Sequence, residues 1–82
     1  MEAYIFINSE PRRVWDIAEA ALKIKEVKKA HAVTGQFDVV IYVEFPNMSI
    51  LEEIITKIHS LLGVKQTRTA VAMPHRIEPK SP

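Results

Sequence analysis

Chemistry in a folded chain needs particular side chains at particular spacings, and this sequence offers few. His31, His59 and His75 are its histidines, and their separations match no metal-ligand pattern. Glu52 and Glu53 form an acidic pair, but sequence neighbours do not face each other on a helix. Cysteine is absent, so neither a disulfide framework nor a thiolate metal site is available. Gly35 and Gly63 are the only glycines, which excludes a glycine-rich phosphate loop. No Ser/His/Asp grouping follows from spacing. The reading is therefore no catalytic residue, no metal and no cofactor.

Two stretches remain. Thr34-Gly35-Gln36-Phe37-Asp38 lies between the apolar runs Val27–Val33 and Val39–Glu44. Gly35 permits a backbone conformation that a β-carbon opposes, and Asp38 can bond its own backbone and close a turn. That composition makes a β-hairpin tip without any ligand. It also gathers backbone donors, a carboxylate and an aromatic ring, which together suit a small zwitterion. The second stretch is Thr67-Arg68-Thr69. On a strand, Thr67 and Thr69 share one face and Arg68 takes the other. The hydroxyls are good strand residues near an edge, or they line a pocket between subunits.

The elements that position these residues follow from apolar spacing. Ala3–Ile7 is a strand of aromatic and β-branched residues. Asn8 to Pro11 breaks it, with Ser9 or Glu10 as a cap and Pro11 in a first helical turn. A helix from about Pro11 to Lys23 carries the stripe Val14, Ile17, Ala18, Ala21 and Leu22, with Trp15 packing at its edge. Val27–Val33 and Asp38–Glu44 are the second and third strands. Ser49 starts a second helix, with Glu52 at the capping-box spacing. Its buried face is Leu51, Ile54, Ile55, Ile58, Leu61 and Leu62, and Gly63 is a left-handed stop. Val64–Met73 is the fourth strand, ended by Pro74. Residues 75–82 read as an extended or disordered tail.

The order is βαββαβ. Two split βαβ units joined by a hairpin give an α+β, ferredoxin-like domain over residues 1–74, a four-stranded antiparallel sheet with both helices on one face. A sheet covered on one side should alternate apolar and polar residues. Here Tyr4 and Phe6 oppose Ala3, Ile5 and Ile7, and Val40 and Tyr42 oppose Val39, Ile41 and Val43. Both faces are apolar, and the chain has nothing left for the second. The expectation is a homodimer closed sheet to sheet.

The net charge is +1, from 11 basic and 10 acidic residues, which does not mark a nucleic-acid binder. Lys23, Lys25, Lys28, Lys29, Arg12 and Arg13 read as solvated ends of elements. No apolar run is long enough for a membrane span, and no signal peptide is evident. A soluble, cytoplasmic chain is expected.

Val33-Thr34-Gly35-Gln36-Phe37-Asp38, the strand Val39–Glu44 and the segment from Leu62 to Thr69 together resemble the effector-binding domain of the Lrp/AsnC (feast/famine) transcription regulators, often called RAM. The resemblance covers about residues 2–73. It implies dimers through the sheets, assembly of dimers into octamer-like rings, and amino-acid effectors bound at dimer–dimer contacts near the hairpin. Carried over, Thr34, Gly35, Gln36, Phe37 and Asp38 form the tip of the site. Thr67, Thr69, Ala70, Val71 and Ala72 approach from a neighbouring subunit. Regulators of the family carry an N-terminal helix-turn-helix, whereas here a strand begins almost at Met1. The resemblance therefore implies a stand-alone domain without direct DNA binding, acting through a full-length Lrp/AsnC-type partner. The family's frequent glycine after the first helix is replaced here by Glu26.

The competing expectation is a small dimeric ferredoxin-like enzyme of monooxygenase or isomerase type. It would use a cavity between sheet and helices or between two sheets, with His31 as the polar group inside it.

Overall fold

The structure is a computed structural model that describes residues 1–74; the tail expected over residues 75–82, with His75, lies outside the described residues. The elements are β1 (Glu2–Ser9), α1 (Val14–Leu22), β2 (Val27–Ala32), β3 (Val39–Glu44), α2 (Met48–His59) and β4 (Val64–Val71). They form one sheet in the order β2-β3-β1-β4, and every pairing is antiparallel. The expected ferredoxin-like arrangement is the one observed.

Strand periodicity sorts the residues. Ala3, Ile5 and Ile7 of β1 and Val39, Ile41 and Val43 of β3 are buried under Ile17, Ala18 and Ala21 of α1 and Leu51, Ile54 and Ile58 of α2. Both helices therefore cover the same face. The alternate residues, Tyr4 and Phe6 on β1 and Val40 and Tyr42 on β3, stand on the open face, where Tyr4 pairs Tyr42 and Phe6 pairs Val40 in register. Tyr4 and Tyr42 bring their rings within 5.3 Å. The two-faced apolar character of these strands is thus real, and one face has no cover among the described residues.

Five local expectations are corrected. The first helix begins at Val14, three residues after Pro11, because Arg12 turns left-handed (φ 70°). No side chain caps α1, and Ser9 belongs to β1, so neither Ser9 nor Glu10 has that role. The second helix is capped by Asn47, whose Oδ1 accepts from the Ile50 N–H at 3.0 Å. Ser49 is already inside the helix, and the Ser49/Glu52 capping box does not form. Leu22 and Leu62 are exposed rather than buried, and Trp15 is 71% exposed instead of packed at the helix edge. Strand ends shift as well: β2 stops at Ala32 and β4 at Val71.

The two cap candidates give a direct test. Asn47→Ala removes an acceptor from an N-terminal helix N–H and should lower stability by about 1 kcal/mol. Ser49→Ala should change it by less than about 0.5 kcal/mol. Urea unfolding of both variants decides between the caps, and a larger loss for Ser49→Ala would restore the capping box.

Candidate functional site

The end of the sheet where β1 stops gathers three connections: Glu10–Arg13, the hairpin tip 33–38, and the turn before β4. Hydrogen bonds fix them to one another. The Val33 N–H donates to the Asp38 carbonyl at 2.9 Å and the Asp38 N–H to the Ile7 carbonyl at 2.9 Å. The Glu10 N–H donates to the Gly63 carbonyl at 2.7 Å. The hairpin tip is held by two side chains in addition. Asn8 Nδ2 donates to the Gln36 carbonyl at 2.7 Å. The Ser9 N–H donates to Asp38 Oδ2 at 2.8 Å. Asp38 therefore ties the hairpin to the end of β1 rather than closing its own turn. The β1–β4 register shifts at Asn8/Ser9, and the Asp38 carboxylate supplies the acceptor that the Ser9 N–H needs.

Beside this tip, on the open face, lies a groove of about 600 Å³. Phe6 and Asn8 of β1, Gln36 and Phe37 of the hairpin, and Gln66, Arg68, Thr69 and Ala70 of β4 line it. Register explains the set. Asn8 sits opposite Gln66, Phe6 opposite Arg68 and Tyr4 opposite Ala70, so one face of β4 meets one face of β1. Phe37 folds back onto Phe6, with ring centroids 5.2 Å apart. The groove thus has an aromatic wall, a rim of side-chain amides and one guanidinium.

The residues singled out from sequence divide accordingly. Gln36, Phe37 and Ala70 meet in the groove, while Thr69 borders it but, opposite Ile5, belongs to the helix-side face of β4. Thr34 and Gly35 are exposed on the tip, with Gly35 at φ 112°, and Asp38 anchors the tip from outside the groove. Thr67 lies opposite Ile7 on the helix side, where its Oγ1 is 2.9 Å from His59 Nε2. Val71 is opposite Ala3, and Ala72 sits at the far end of the sheet, its N–H donating to the Glu2 carbonyl at 2.9 Å. Within one chain, then, Thr67, Val71 and Ala72 do not join the hairpin. The sequence reading missed Phe6, Asn8, Gln66 and Arg68 as groove residues. A period-two count would have found them: Phe6 and Asn8 follow Tyr4, and Gln66 and Arg68 precede Ala70.

The expected enzymatic cavity between sheet and helices is corrected. That space is filled by Ile5, Ile7, Ile17, Ile41, Leu51, Ile54 and Ile58, and among the described residues no polar side chain is buried. His31 is exposed on the open face, in register with Val40, in a shallow depression shared with Lys28, Lys29 and Tyr42. Tyr42 donates to Glu44 Oε2 at 3.1 Å. Desolvation, and secondarily that bond, push its phenol up to about 12. No group of metal-binding side chains occurs among the described residues, and no helix there is long and apolar enough to cross a membrane.

The fold is a ferredoxin-like sheet with a groove at its hairpin end. Its family is that of the Lrp/AsnC ligand-binding domain, whose model matches residues 2–81, and the chain belongs to that family. Curated relatives are named as uncharacterized HTH-type transcriptional regulators. One is the uncharacterized HTH-type transcriptional regulator PH0140 of Pyrococcus horikoshii, 31% identical over 84% of this chain and 44% of that protein. The chain spans about half the length, or less, of the curated relatives it matches. Among solved structures, TTHA0845 from Thermus thermophilus is 31% identical with a TM-score of 0.86, covering 96% of this chain and 98% of that one. The transcriptional regulator NMB0573 from Neisseria meningitidis, solved as a complex with L-Met, shares the fold at 18% identity. Its TM-score is 0.79, over 94% of this chain and 52% of that one.

Proposed function

We propose that this chain senses an amino acid at the hairpin end of its sheet and regulates transcription through a longer member of its family, without itself binding DNA. The observation that carries this reading is the groove beside residues 33–38, where an aromatic pair, side-chain amides and a guanidinium converge. An amino acid offers a carboxylate and an ammonium, and both need partners once water leaves. The L-Met complex of the Neisseria regulator supports the same ligand class for this fold. The open face, with Tyr4, Phe6, Val40 and Tyr42, pairs with its copy in a dimer, and dimers close into a ring. In that ring Thr67 and residues 69–72 of a neighbouring copy approach Thr34, Gly35 and the rest of the tip.

The test is a thermal-shift screen with the twenty amino acids, because a ligand that binds only the folded form raises its stability. The effector should raise Tm in a concentration-dependent manner, and a flat response to all twenty overturns the reading. Asp38 then separates position from charge. Asp38→Ala leaves the Ser9 N–H without its acceptor and should cost about 1–3 kcal/mol of stability. It should also weaken effector binding by roughly ten- to a hundredfold. Asp38→Asn keeps an acceptor oxygen. Affinity that returns with Asn comes from holding the hairpin in place. Affinity that stays low means the carboxylate itself meets the ligand's ammonium. Wild-type affinity in a fully assembled Asp38→Ala would remove both roles.

A further inference from the structure

We infer that the groove beside the hairpin selects ligands of net negative charge, with Arg68 as their counter-ion, so that an acidic amino acid fits it and a basic one does not. This rests on the effector-binding reading and narrows it to a ligand class.

Charge in the groove is one-sided. Among the described residues, Arg68 is the one charged side chain lining it, and no aspartate or glutamate joins it there. The single ion pair among those residues is Arg13 with Asp16, so the Arg68 guanidinium has no carboxylate partner among them. The nearest acid along the hairpin, Asp38, already accepts from the Ser9 N–H at 2.8 Å. Glu2 and Glu44 share the open face but pair with each other in register at its opposite end, and Glu44 accepts from Tyr42 there.

Geometry adds to the count. Arg68 projects from β4 opposite Phe6, whose ring is packed on Phe37. Ala70, the next residue on that face of β4, is small and leaves space beside the guanidinium. A planar guanidinium offers donors in a fork that matches a carboxylate bidentately. The remaining polar groups are neutral. The Asn8 amide nitrogen is engaged by the Gln36 carbonyl, which leaves its Oδ1, and the side chains of Gln36 and Gln66, as acceptors for an ammonium. Neutral oxygens satisfy an ammonium without favouring an extra positive charge. An added lysine-type ammonium would instead meet Arg68 with like charge, and an added carboxylate would meet it with opposite charge.

The experiment uses the full chain at low ionic strength, since the groove is open and salt screens exposed charges. Calorimetric titrations with L-glutamate, its amide isostere L-glutamine and L-lysine are compared for wild type, Arg68→Gln and Arg68→Lys. Wild type should bind glutamate at least about tenfold more tightly than glutamine, with lysine weakest. Arg68→Gln should abolish the glutamate-over-glutamine preference, and Arg68→Lys should keep part of it, because charge survives and the fork does not. Arg68 lies on an edge strand outside the core, so both variants should keep the fold, which circular dichroism verifies. Equal binding of glutamate and glutamine by wild type overturns the inference, as does a preference that survives Arg68→Gln. If glutamine, lysine or another amino acid outside the acidic pair binds best, the sensor reading stands and only the charge selection falls. If none of the twenty binds, the sensor reading itself is lost.

Discussion

Gly63→Ala should lower the stability of this domain by about 2–5 kcal/mol, far more than Gly35→Ala. Both glycines have positive φ, 96° and 112°, so both substitutions cost roughly 1–2 kcal/mol for a left-handed L-residue. Surroundings separate them. A β-carbon at Gly35 meets nothing within 4 Å, whereas one at Gly63 would stand 2.6 Å from Arg13 Cβ and 2.7 Å from Arg13 Cγ. Arg13 Cβ is fixed to the start of α1, so backbone must move, at a further cost of about 1–3 kcal/mol for overpacking. A domain of 82 residues has on the order of 4–12 kcal/mol in total. The strain falls where the turn before β4 packs on the β1–α1 connection, beside the groove. Urea unfolding of the two variants checks this. Equal losses would show that conformation alone matters and that Arg13 yields freely.

The second large effect is expected on association. Val40 stands on the open face, in register with Phe6 on one side and His31 on the other. Val40→Lys would place an ammonium in the centre of the proposed sheet-to-sheet contact. Burying an unpaired charge costs several kcal/mol, so the dimer dissociation constant should rise at least about a hundredfold. The monomer should keep its fold, because Val40 points away from the core that Val39 and Ile41 build. Sedimentation at micromolar concentration, with circular dichroism on the same samples, measures both. A variant as dimeric as wild type would move the interface off this face. A wild-type chain that is itself monomeric would remove the dimer and the neighbouring subunit's share of the site.

Much of the fold was legible because it depends on local spacing. Runs such as Ala3–Ile7 and Val39–Val43 are β-branched and aromatic on both faces, so strands and a two-sided sheet follow from counting by two. Helix starts were less legible. Pro11 is a good first helical residue by type, but Arg12 adopts a left-handed backbone that no propensity announces. Asn47 and Ser49 are both sound caps by type. The choice falls to Asn47, whose extended backbone (φ −159°, ψ 170°) follows Pro46. The hairpin was readable as a turn. Its anchors were not, since Asn8 meets Gln36 across 28 positions and Ser9 meets Asp38 across 29. Contacts made only after the sheet assembles leave no periodic trace, whereas Arg68, two positions before Ala70 on one face of β4, was within reach of a period-two count.

The strand order bears on how this protein avoids misassembly. β2 and β4 form the two edges of the sheet, and each leaves a row of backbone groups able to recruit another strand. Lys28 and Lys29 lie on one edge and Lys65 and Arg68 on the other, and neither strand contains an acidic residue. Two copies meeting edge to edge, in any of the three combinations, bring cation against cation. Lateral growth into a continuous ribbon is opposed by charge, while the broad face of the sheet keeps its tyrosines and phenylalanine available. The same lysines and arginine that look like ordinary solubilising residues therefore oppose edge-to-edge contact between copies of this chain.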